Sequence, residues 1–294
     1  MTRAPFERVA VLGPGLLGGS VALALRQRLP GVEVRLWGRR DEAVEEARGL
    51  GIGDFVGTDA REVVAGADLI VVATPVGVMA EVLESALAGG RWRDGTVVTD
   101  VGSVKQGVVD ALTPVAREAG LAFVGSHPMA GSENAGLAHA RGDLFAGAPC
   151  IVTPDPAGGA AAAAKVRTFW EILGAVVTEM NPEAHDAVVA RLSHVPHLVA
   201  SALAAMALGG DAGLARMAGG GFRDTTRVAA GDADLWTGIL MENRAALAAP
   251  LGELISGLQT VAEHLDRGDA QSLWRFLDHA RKLRHSCPPP VPSK

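Results

Sequence analysis

The sequence predicts an α/β domain with a mainly parallel sheet, followed by an all-α domain. In the first half, short β-branched runs alternate strictly with stretches of helical spacing, which is typical of right-handed βαβ crossovers. After Pro182 the β-branched runs stop, and alanine- and leucine-rich helical spacing continues to about Arg284. We therefore expect a first domain over residues 1–181, a helical domain over 182–284 and a disordered, proline-rich tail over 285–294.

The elements of the first domain follow from β-branched runs bounded by turn residues and from 3.6-residue spacing. Strands are expected at 8–12, 33–37, 68–73, 96–100, 122–125, 150–153 and 175–179. Helices are expected at 18–27, 41–50, 78–88, 105–119 and 157–173. The segment 124–133, VGSHPMAGSE, is rich in Gly, Ser and Pro, so most of it is expected to be a loop whose polar side chains face a cavity. A simple turn with a capping serine is the alternative.

Composition excludes several function classes. The 294 residues are 48% hydrophobic and 20% charged, and the net charge of -6 provides no broad basic face for nucleic acid or an anionic membrane. Cys150 and Cys287 are far apart, which argues against a disulfide framework and against a thiolate metal site. No separate signal region and no apolar run long enough to cross a bilayer stand out. We expect a cytoplasmic protein that acts on a small molecule.

A glycine motif, GPGLLG, lies between the first strand and the first helix. Gly13 suits a tight turn, Gly15 the close approach of a pyrophosphate, and Gly18 close packing of helix against strand. The helix N-terminus at Leu16 and Leu17 would then face the phosphates. The motif predicts a Rossmann-type dinucleotide-binding domain, although glycine-rich turns without a ligand also exist.

The end of the second strand bears on the choice of dinucleotide. NAD-preferring domains place an acidic residue there to bind the ribose hydroxyls. Here Gly38 and Arg40 occupy that region, and Arg39 and Arg40 could pair with a 2′-phosphate. We favour NADP over NAD, while Asp41 keeps NAD open and two ordinary surface arginines are the plain alternative.

Two more loops follow strands on the edge where open parallel sheets bind ligands. Thr74 and Pro75 are expected beneath the nicotinamide half of the cofactor. Asp100 and Ser103, in DVGSVK, are expected to contact the cofactor, or else to cap the next helix. These loops and VGSHPMAGSE are predicted to converge on one crevice.

The helical domain contains two polar motifs. In LSHVPH, His194 and His197 are three residues apart, but no HExxH pattern or carboxylate companion accompanies them, so we expect no metal. In GGGFRDTTR, Arg227 is suited to bidentate binding of a carboxylate, with a charged helix start as the alternative.

Together these motifs resemble the prephenate/arogenate dehydrogenase family over about residues 8–280. The matching segments are GPGLLGGS, DVGSVK, GSHPMAGSE, LSHVPH, GGGFRDTTR and WTGILMEN. The resemblance implies an oxidoreductase of tyrosine biosynthesis that oxidises and decarboxylates prephenate to 4-hydroxyphenylpyruvate with hydride transfer to NAD(P). It also implies a helical dimerisation domain and a homodimer. Arogenate stays open as the substrate.

The resemblance further implies roles for single residues. His127 matches the catalytic base, and Ser103 the serine that hydrogen-bonds with it. The residues matched to the substrate pocket and its ionic network are Arg227, His197, Ser193, Glu133 and Asp224. Trp236 is expected either as an aromatic wall of the pocket or as core.

Two other function classes are weaker. A β-hydroxyacid-type dehydrogenase usually needs a lysine in its helical domain, and none occurs from Pro182 to Arg281. A non-catalytic NADP-sensing regulator would need the glycine motif but not His127, Ser103 and Arg227 together.

Overall fold

The computed structural model describes residues 6–90, 92–130, 136–155 and 159–287; Glu133 lies outside these ranges. One sheet organises the first domain, with strand order β3-β2-β1-β4-β5-β6-β7-β8. Neighbouring strands are parallel except β6 and β7, which pair antiparallel. The strands are β1 (Arg8–Leu12), β2 (Glu33–Trp37), β3 (Phe55–Gly57), β4 (Leu69–Val72), β5 (Val97–Asp100), β6 (Ala122–Pro128), β7 (Pro149–Thr153) and β8 (Val176–Glu179).

Helices cover both faces of this sheet, because side chains alternate along its buried strands. In β1, Val9 and Val11 join the core on one face, while Ala10 and Leu12 join the core on the other. The helices are α1 (Leu16–Arg28), α2 (Asp41–Gly49), α3 (Ala60–Val64), α4 (Met79–Leu87), α5 (Gln106–Glu118) and α6 (Ala160–Ile172). The predicted start of α6 near Ala157 lies outside the described residues. The predicted α/β class is confirmed.

Two short elements, β3 and α3, were not expected from the sequence. The strand has three residues and ends in Gly57, so it has no readable alternation. The helix has five residues and depends on Asp59, whose side chain accepts a hydrogen bond from the Arg61 N–H.

The prediction that the polar segment after Val124 is a loop is wrong for its first part. Residues 125–128 continue β6 and pair with 150–153 of β7. The polar strand is stable because its side chains have partners: the Ser126 hydroxyl hydrogen-bonds with Thr99 and accepts from the Trp170 indole, both at 2.9 Å. His127 is therefore held by a strand rather than by a turn.

The helical domain begins with a continuous helix. Asn181 caps it by accepting a hydrogen bond from the Ala184 N–H. Its parts are α7 (Pro182–Val189), a π-helical turn (Ala190–His194) and α8 (Val195–Leu208). After it come α9 (Gly220–Thr226), α10 (Ala233–Glu242), α11 (Arg244–Asp266) and α12 (Ala270–Ser286). The last helix ends two residues beyond the predicted end at 284, and residues 288–294 lie outside the described chain.

Two helices are long and apolar enough to cross a membrane by length and composition, which the sequence did not predict. They are the 27-residue helix 182–208 and the 23-residue helix α11. The first one places Asp186 against the backbone of Lys105 and Gln106 in the α/β domain, so this helix packs on protein at that end.

The helical domain buries little of its own apolar surface. Its separate core consists of Ala190, Val195 and Leu247 with partly buried neighbours. Large exposed apolar side chains are concentrated in this domain: Leu192, Met206, Leu214, Met217, Leu235, Met241, Ile255, Leu258, Leu265, Trp274, Phe276, Leu277 and Leu283. An exposed apolar surface of this kind indicates that the domain packs against another molecule.

Candidate active site

The glycine motif forms the turn that its spacing predicts. Gly13 has φ +117°, and its N–H donates to the Trp37 carbonyl at 3.0 Å. A Cβ on Gly18 would lie 1.9 Å from the Gly13 carbonyl oxygen, so only glycine lets α1 approach β1 this closely. A Cβ on Gly15 would meet nothing within 4 Å, which leaves open space in front of the α1 N-terminus at Leu16. This arrangement fits a dinucleotide pyrophosphate.

The end of β2 packs directly against this turn. A Cβ on Gly38 would lie 3.3 Å from Pro14 and 3.1 Å from Val44, so an acidic side chain at this position would be crowded. Arg39 and Arg40 are exposed at the start of α2. Within the described part of the chain, neither guanidinium forms a hydrogen bond or ion pair with the protein.

A third loop completes this end of the sheet. The Ala73 carbonyl and the Thr74 backbone lie against Gly13. Thr74 Oγ1 is buried and has no hydrogen-bond partner within the described residues, while Pro75 is exposed. A buried hydroxyl without a partner is costly, so a bound ligand would supply what it lacks. The residues present therefore fit a dinucleotide.

Protein groups engage the Asp100 side chain, and its contact with the cofactor stays a prediction. Its carboxylate is fully buried and pairs with the Lys105 ammonium, and it accepts hydrogen bonds from the Ser126 N–H (2.9 Å) and the Gly102 N–H (2.7 Å). Burial lowers the pKa of Lys105, and the charge of Asp100 opposes that shift. The pair fixes the β5–α5 loop to the backbone of β6 directly before His127.

His127 has a partner that the sequence did not reveal. Its Nδ1 lies 2.8 Å from Nε2 of His185, and Nδ1 of His185 lies 2.7 Å from Oδ1 of Asp186. Burial, followed by the charges of His185, Lys105 and His194, holds the pKa of His127 well below its usual value. Ser103 is half-buried, and within the described residues its side chain makes no hydrogen bond with His127.

Two further histidines lie nearby, in different surroundings. His194 Nδ1 is 3.0 Å from the Asn243 amide nitrogen, and burial lowers the pKa of His194 to about 4. His197 stacks on Trp236 with ring centroids 3.5 Å apart, and its buried Nδ1 has no partner within the described residues. Burial also lowers the pKa of His197. Trp236 also lies edge-on to His194, with ring centroids 6.2 Å apart, so one indole contacts both imidazoles.

The remaining predicted substrate residues lie on the helical domain. Ser193 is half-buried in the π-helical turn, next to His194. Asp224 is exposed near the end of α9, and Arg227 is exposed at the start of a 3-10 turn that packs against α8. Ser193 thus lies in the helix that carries His197, and Asp224 and Arg227 lie on segments that pack against this helix.

Sequence reasoning missed His185, Asp186 and Lys105, and gave Asn243 no role. His185 and Asp186 lie in the first two turns of α7, where helical spacing alone does not distinguish a buried polar pair from an exposed one. The available signal was an adjacent His-Asp after the Asn181-Pro182 helix start. Lys105 stood in the quoted motif DVGSVK, but a lysine five residues after an aspartate is usually an exposed charge.

Comparisons with known proteins agree with this arrangement. Residues 21–179 match the family model for the prephenate dehydrogenase nucleotide-binding domain, and residues 181–279 match that for the prephenate dehydrogenase dimerization domain. The chain is 34% identical to cyclohexadienyl dehydrogenase of Zymomonas mobilis over 95% of each chain. It is 33% identical to prephenate dehydrogenase of Bacillus subtilis, over 96% of this chain and 76% of that one.

A solved structure shares the whole architecture. The crystal structure of A. aeolicus prephenate dehydrogenase in complex with hydroxyphenyl propionate and NAD+ superposes with a TM-score of 0.86 at 29% identity, covering 95% of this chain and 97% of that one. The predicted Rossmann-type domain followed by a helical dimerisation domain is confirmed. The two matched models cover most of the chain in the order that its motifs predicted, and the protein therefore belongs to the prephenate dehydrogenase family.

Proposed function

We propose that this protein is an NAD(P)-dependent prephenate dehydrogenase that converts prephenate to 4-hydroxyphenylpyruvate and CO2. The observation that carries the proposal is His127, a buried imidazole with a strongly lowered pKa at the domain junction. Such a group is neutral near pH 7 and is able to accept a proton. Family membership and the open glycine turn support the same reaction.

Residues of the chain would accept the hydroxyl proton of the substrate and bind its ring carboxylate. A dinucleotide held by the glycine turn (Gly13, Gly15, Gly18) would supply a hydride acceptor for the hydroxyl-bearing carbon when bound. His127 accepts the hydroxyl proton, which avoids a cationic carbonyl at that carbon. The bond to the ring carboxylate then breaks, its electrons complete the aromatic ring, and His127 returns its proton to the phenolate oxygen. We assign binding of the ring carboxylate to Arg227, and contacts with the rest of the substrate to His197, Ser193, Asp224 and Glu133.

The first test is the rate of nicotinamide reduction, followed by absorbance, with prephenate or arogenate and with NADP or NAD. Reduction with prephenate is expected. His127→Asn should lower kcat by at least about 10²-fold with KM nearly unchanged, whereas Arg227→Ala should chiefly raise KM. Near-normal turnover of His127→Asn would remove the basis of the proposal.

We further propose that NADP is preferred over NAD. Support comes from two exposed guanidiniums, Arg39 and Arg40, beside the glycine turn, and from the lack of space for an acidic side chain at Gly38. The double variant Arg39→Asp/Arg40→Asp should weaken NADP binding far more than NAD binding, as measured by dissociation constants. Equal weakening of both would contradict the preference.

We also propose a cytoplasmic homodimer that pairs through the helical domain, with the domain boundary between Asn181 and Pro182. The exposed apolar residues Ile255 and Leu258, one turn apart on α11, support the interface, and the unpaired Cys150 and Cys287 fit a reducing compartment. Light scattering should give twice the chain mass of 30.2 kDa. Ile255→Glu/Leu258→Glu should dissociate the dimer, while the control Leu50→Glu, on an exposed residue of the first domain, should not.

A further inference from the structure

Three buried side chains form a continuous line of hydrogen bonds behind the proposed reaction centre. His127 Nδ1 is 2.8 Å from His185 Nε2, and His185 Nδ1 is 2.7 Å from Asp186 Oδ1. The two rings meet edge-on with centroids 5.1 Å apart. The side chain of His185 is completely buried, so water does not compete for its two nitrogens.

Asp186 determines which groups donate and which accept along this line of hydrogen bonds. Its Oδ1 accepts the Lys105 N–H at 2.7 Å, and its Oδ2 accepts the Gln106 N–H at 2.9 Å. Burial by itself would raise the pKa of Asp186, but the hydrogen bonds from His185 and from these two backbone groups outweigh it and lower the pKa. The carboxylate is therefore ionised and acts only as an acceptor.

The tautomers of both imidazoles follow from that acceptor. A neutral His185 carries its proton on Nδ1 to donate to Asp186, which leaves Nε2 as an acceptor. His127 must then donate from Nδ1, and its lone pair lies on Nε2. Within the described residues, no hydrogen bond to protein occupies Nε2 of His127. Among the contacts of the described residues, it is the nitrogen of this line that is left to take a proton from outside.

We propose that His185 and Asp186 are positioning residues that hold His127 in the tautomer with a basic Nε2. This inference rests on the proposed function for the identity of the proton donor. When His127 takes a proton, the line also places the Asp186 carboxylate behind the new imidazolium, as carboxylates do behind catalytic histidines elsewhere.

The other charges around His127 explain why such a carboxylate is needed. Lys105, from the β5–α5 loop, and His194, from the π-helical turn, both disfavour the imidazolium. The Asp100 carboxylate is already paired with Lys105. Cys150 on β7 is a buried thiol, and burial raises its pKa. Asp186 is the carboxylate that reaches His127 through a hydrogen-bonded ring.

The variants must separate this role from simple folding. Asp186→Asn replaces the ionised acceptor by an amide that offers His185 either its oxygen or an N–H, so the tautomer of His127 with a basic Nε2 is no longer imposed. His185→Gln keeps an acceptor oxygen towards His127 and a donor towards Asp186, whereas His185→Phe keeps neither. The matched control is Asp110→Asn, which also neutralises a carboxylate bonded to Gln106 but lies on the exposed face of α5.

The deciding measurement is 15N NMR of histidine-labelled protein without substrate, which reports the tautomer of each imidazole. The wild type should show His127 protonated on Nδ1, and Asp186→Asn should show a clear population protonated on Nε2 as well. A wild-type His127 protonated on Nε2 overturns the proposal without reference to any variant or to turnover.

Steady-state kinetics provide the second readout. Asp186→Asn and His185→Phe should lower kcat about 10²-fold or more with KM within about threefold, while His185→Gln recovers most of the loss and Asp110→Asn changes little. Equal kcat for Asp186→Asn and Asp110→Asn overturns the positioning role. If the wild type shows the assigned tautomer but does not oxidise prephenate, the line of hydrogen bonds is supported and the proposed function alone is refuted.

Discussion

Breaking the buried ion pair beneath the active site should destabilise the first domain. Lys105 and Asp100 are both fully inaccessible, and the ammonium also donates to the Ser126 carbonyl at 3.0 Å. Lys105→Met would keep the chain volume but leave the Asp100 carboxylate in the core with only the Ser126 and Gly102 N–H groups as partners. Removing one member of a buried pair costs about 3–5 kcal/mol.

These two remaining backbone donors place the expected loss at the lower end, about 3 kcal/mol. For the first domain, residues 1–181, that corresponds to a fall in Tm of about 6–12 °C. Urea unfolding and calorimetry at one fixed protein concentration would measure it, since a dimer's stability depends on concentration. The control is Lys165→Met, because Lys165 is partly buried and, within the described residues, hydrogen-bonds to the Gly95 carbonyl at 2.9 Å; the variant should cost about 1 kcal/mol.

A double variant tests whether the uncompensated charge of Asp100 causes this loss of stability. Asp100→Asn/Lys105→Met removes both charges, so it should be more stable than Lys105→Met alone by at least about 1 kcal/mol. If Lys105→Met is no less stable than Lys165→Met, the carboxylate does not need its countercharge and the reasoning about this pair is refuted.

Two other predictions concern the glycine turn and the pH dependence of stability. Gly15→Ala should leave Tm unchanged but raise the dinucleotide dissociation constant. Gly18→Ala should destabilise the fold by at least about 1–3 kcal/mol, because its Cβ would overlap the Gly13 carbonyl. Similar Tm values for the two variants would contradict this assignment. The pKa of His194 falls from 6.5 to about 4 on folding, so the unfolded chain binds more protons between these values. Stability should therefore be fully present above pH 6.5 and decline by about 3 kcal/mol as the pH falls to about 4. His194→Asn should flatten that decline in urea titrations, and an unchanged slope would refute it.

The first domain was readable from the sequence because its determinants are local. β1 and β2 have the predicted bounds, since each is a short segment with β-branched residues that is ended by Gly13 or Gly38. The conformation of Gly13 and the close packing at Gly18 likewise follow from a contiguous motif. The positions of these glycines in the sequence therefore indicate where the backbone must turn or where two backbone segments must approach each other closely.

The polar core of the site was not readable, because its partners are distant in sequence. Lys105 is bound by Asp100 within its own loop, but burial of that pair depends on β6 and on α7. His127 and His185 are 58 residues apart and meet only after the helical domain docks on the sheet. Periodicity reports which face of an element is apolar, and it contains no information about which buried polar groups satisfy one another.

At the π-helical turn Ala190–His194, the number of residues, rather than their types, determines how the side chains of the site are oriented. A regular helix advances about 100° per residue, and a π turn accommodates roughly one additional residue, so everything after it is rotated by about that angle. This rotation lets one amide, that of Asn243, reach both the Asp186 carbonyl and His194, at 3.0 Å each. A single deletion in this turn would preserve the helix and both domains, yet turn His197 and its stack on Trp236 out of phase with His127. Among relatives, the length of this segment should therefore vary less than its composition.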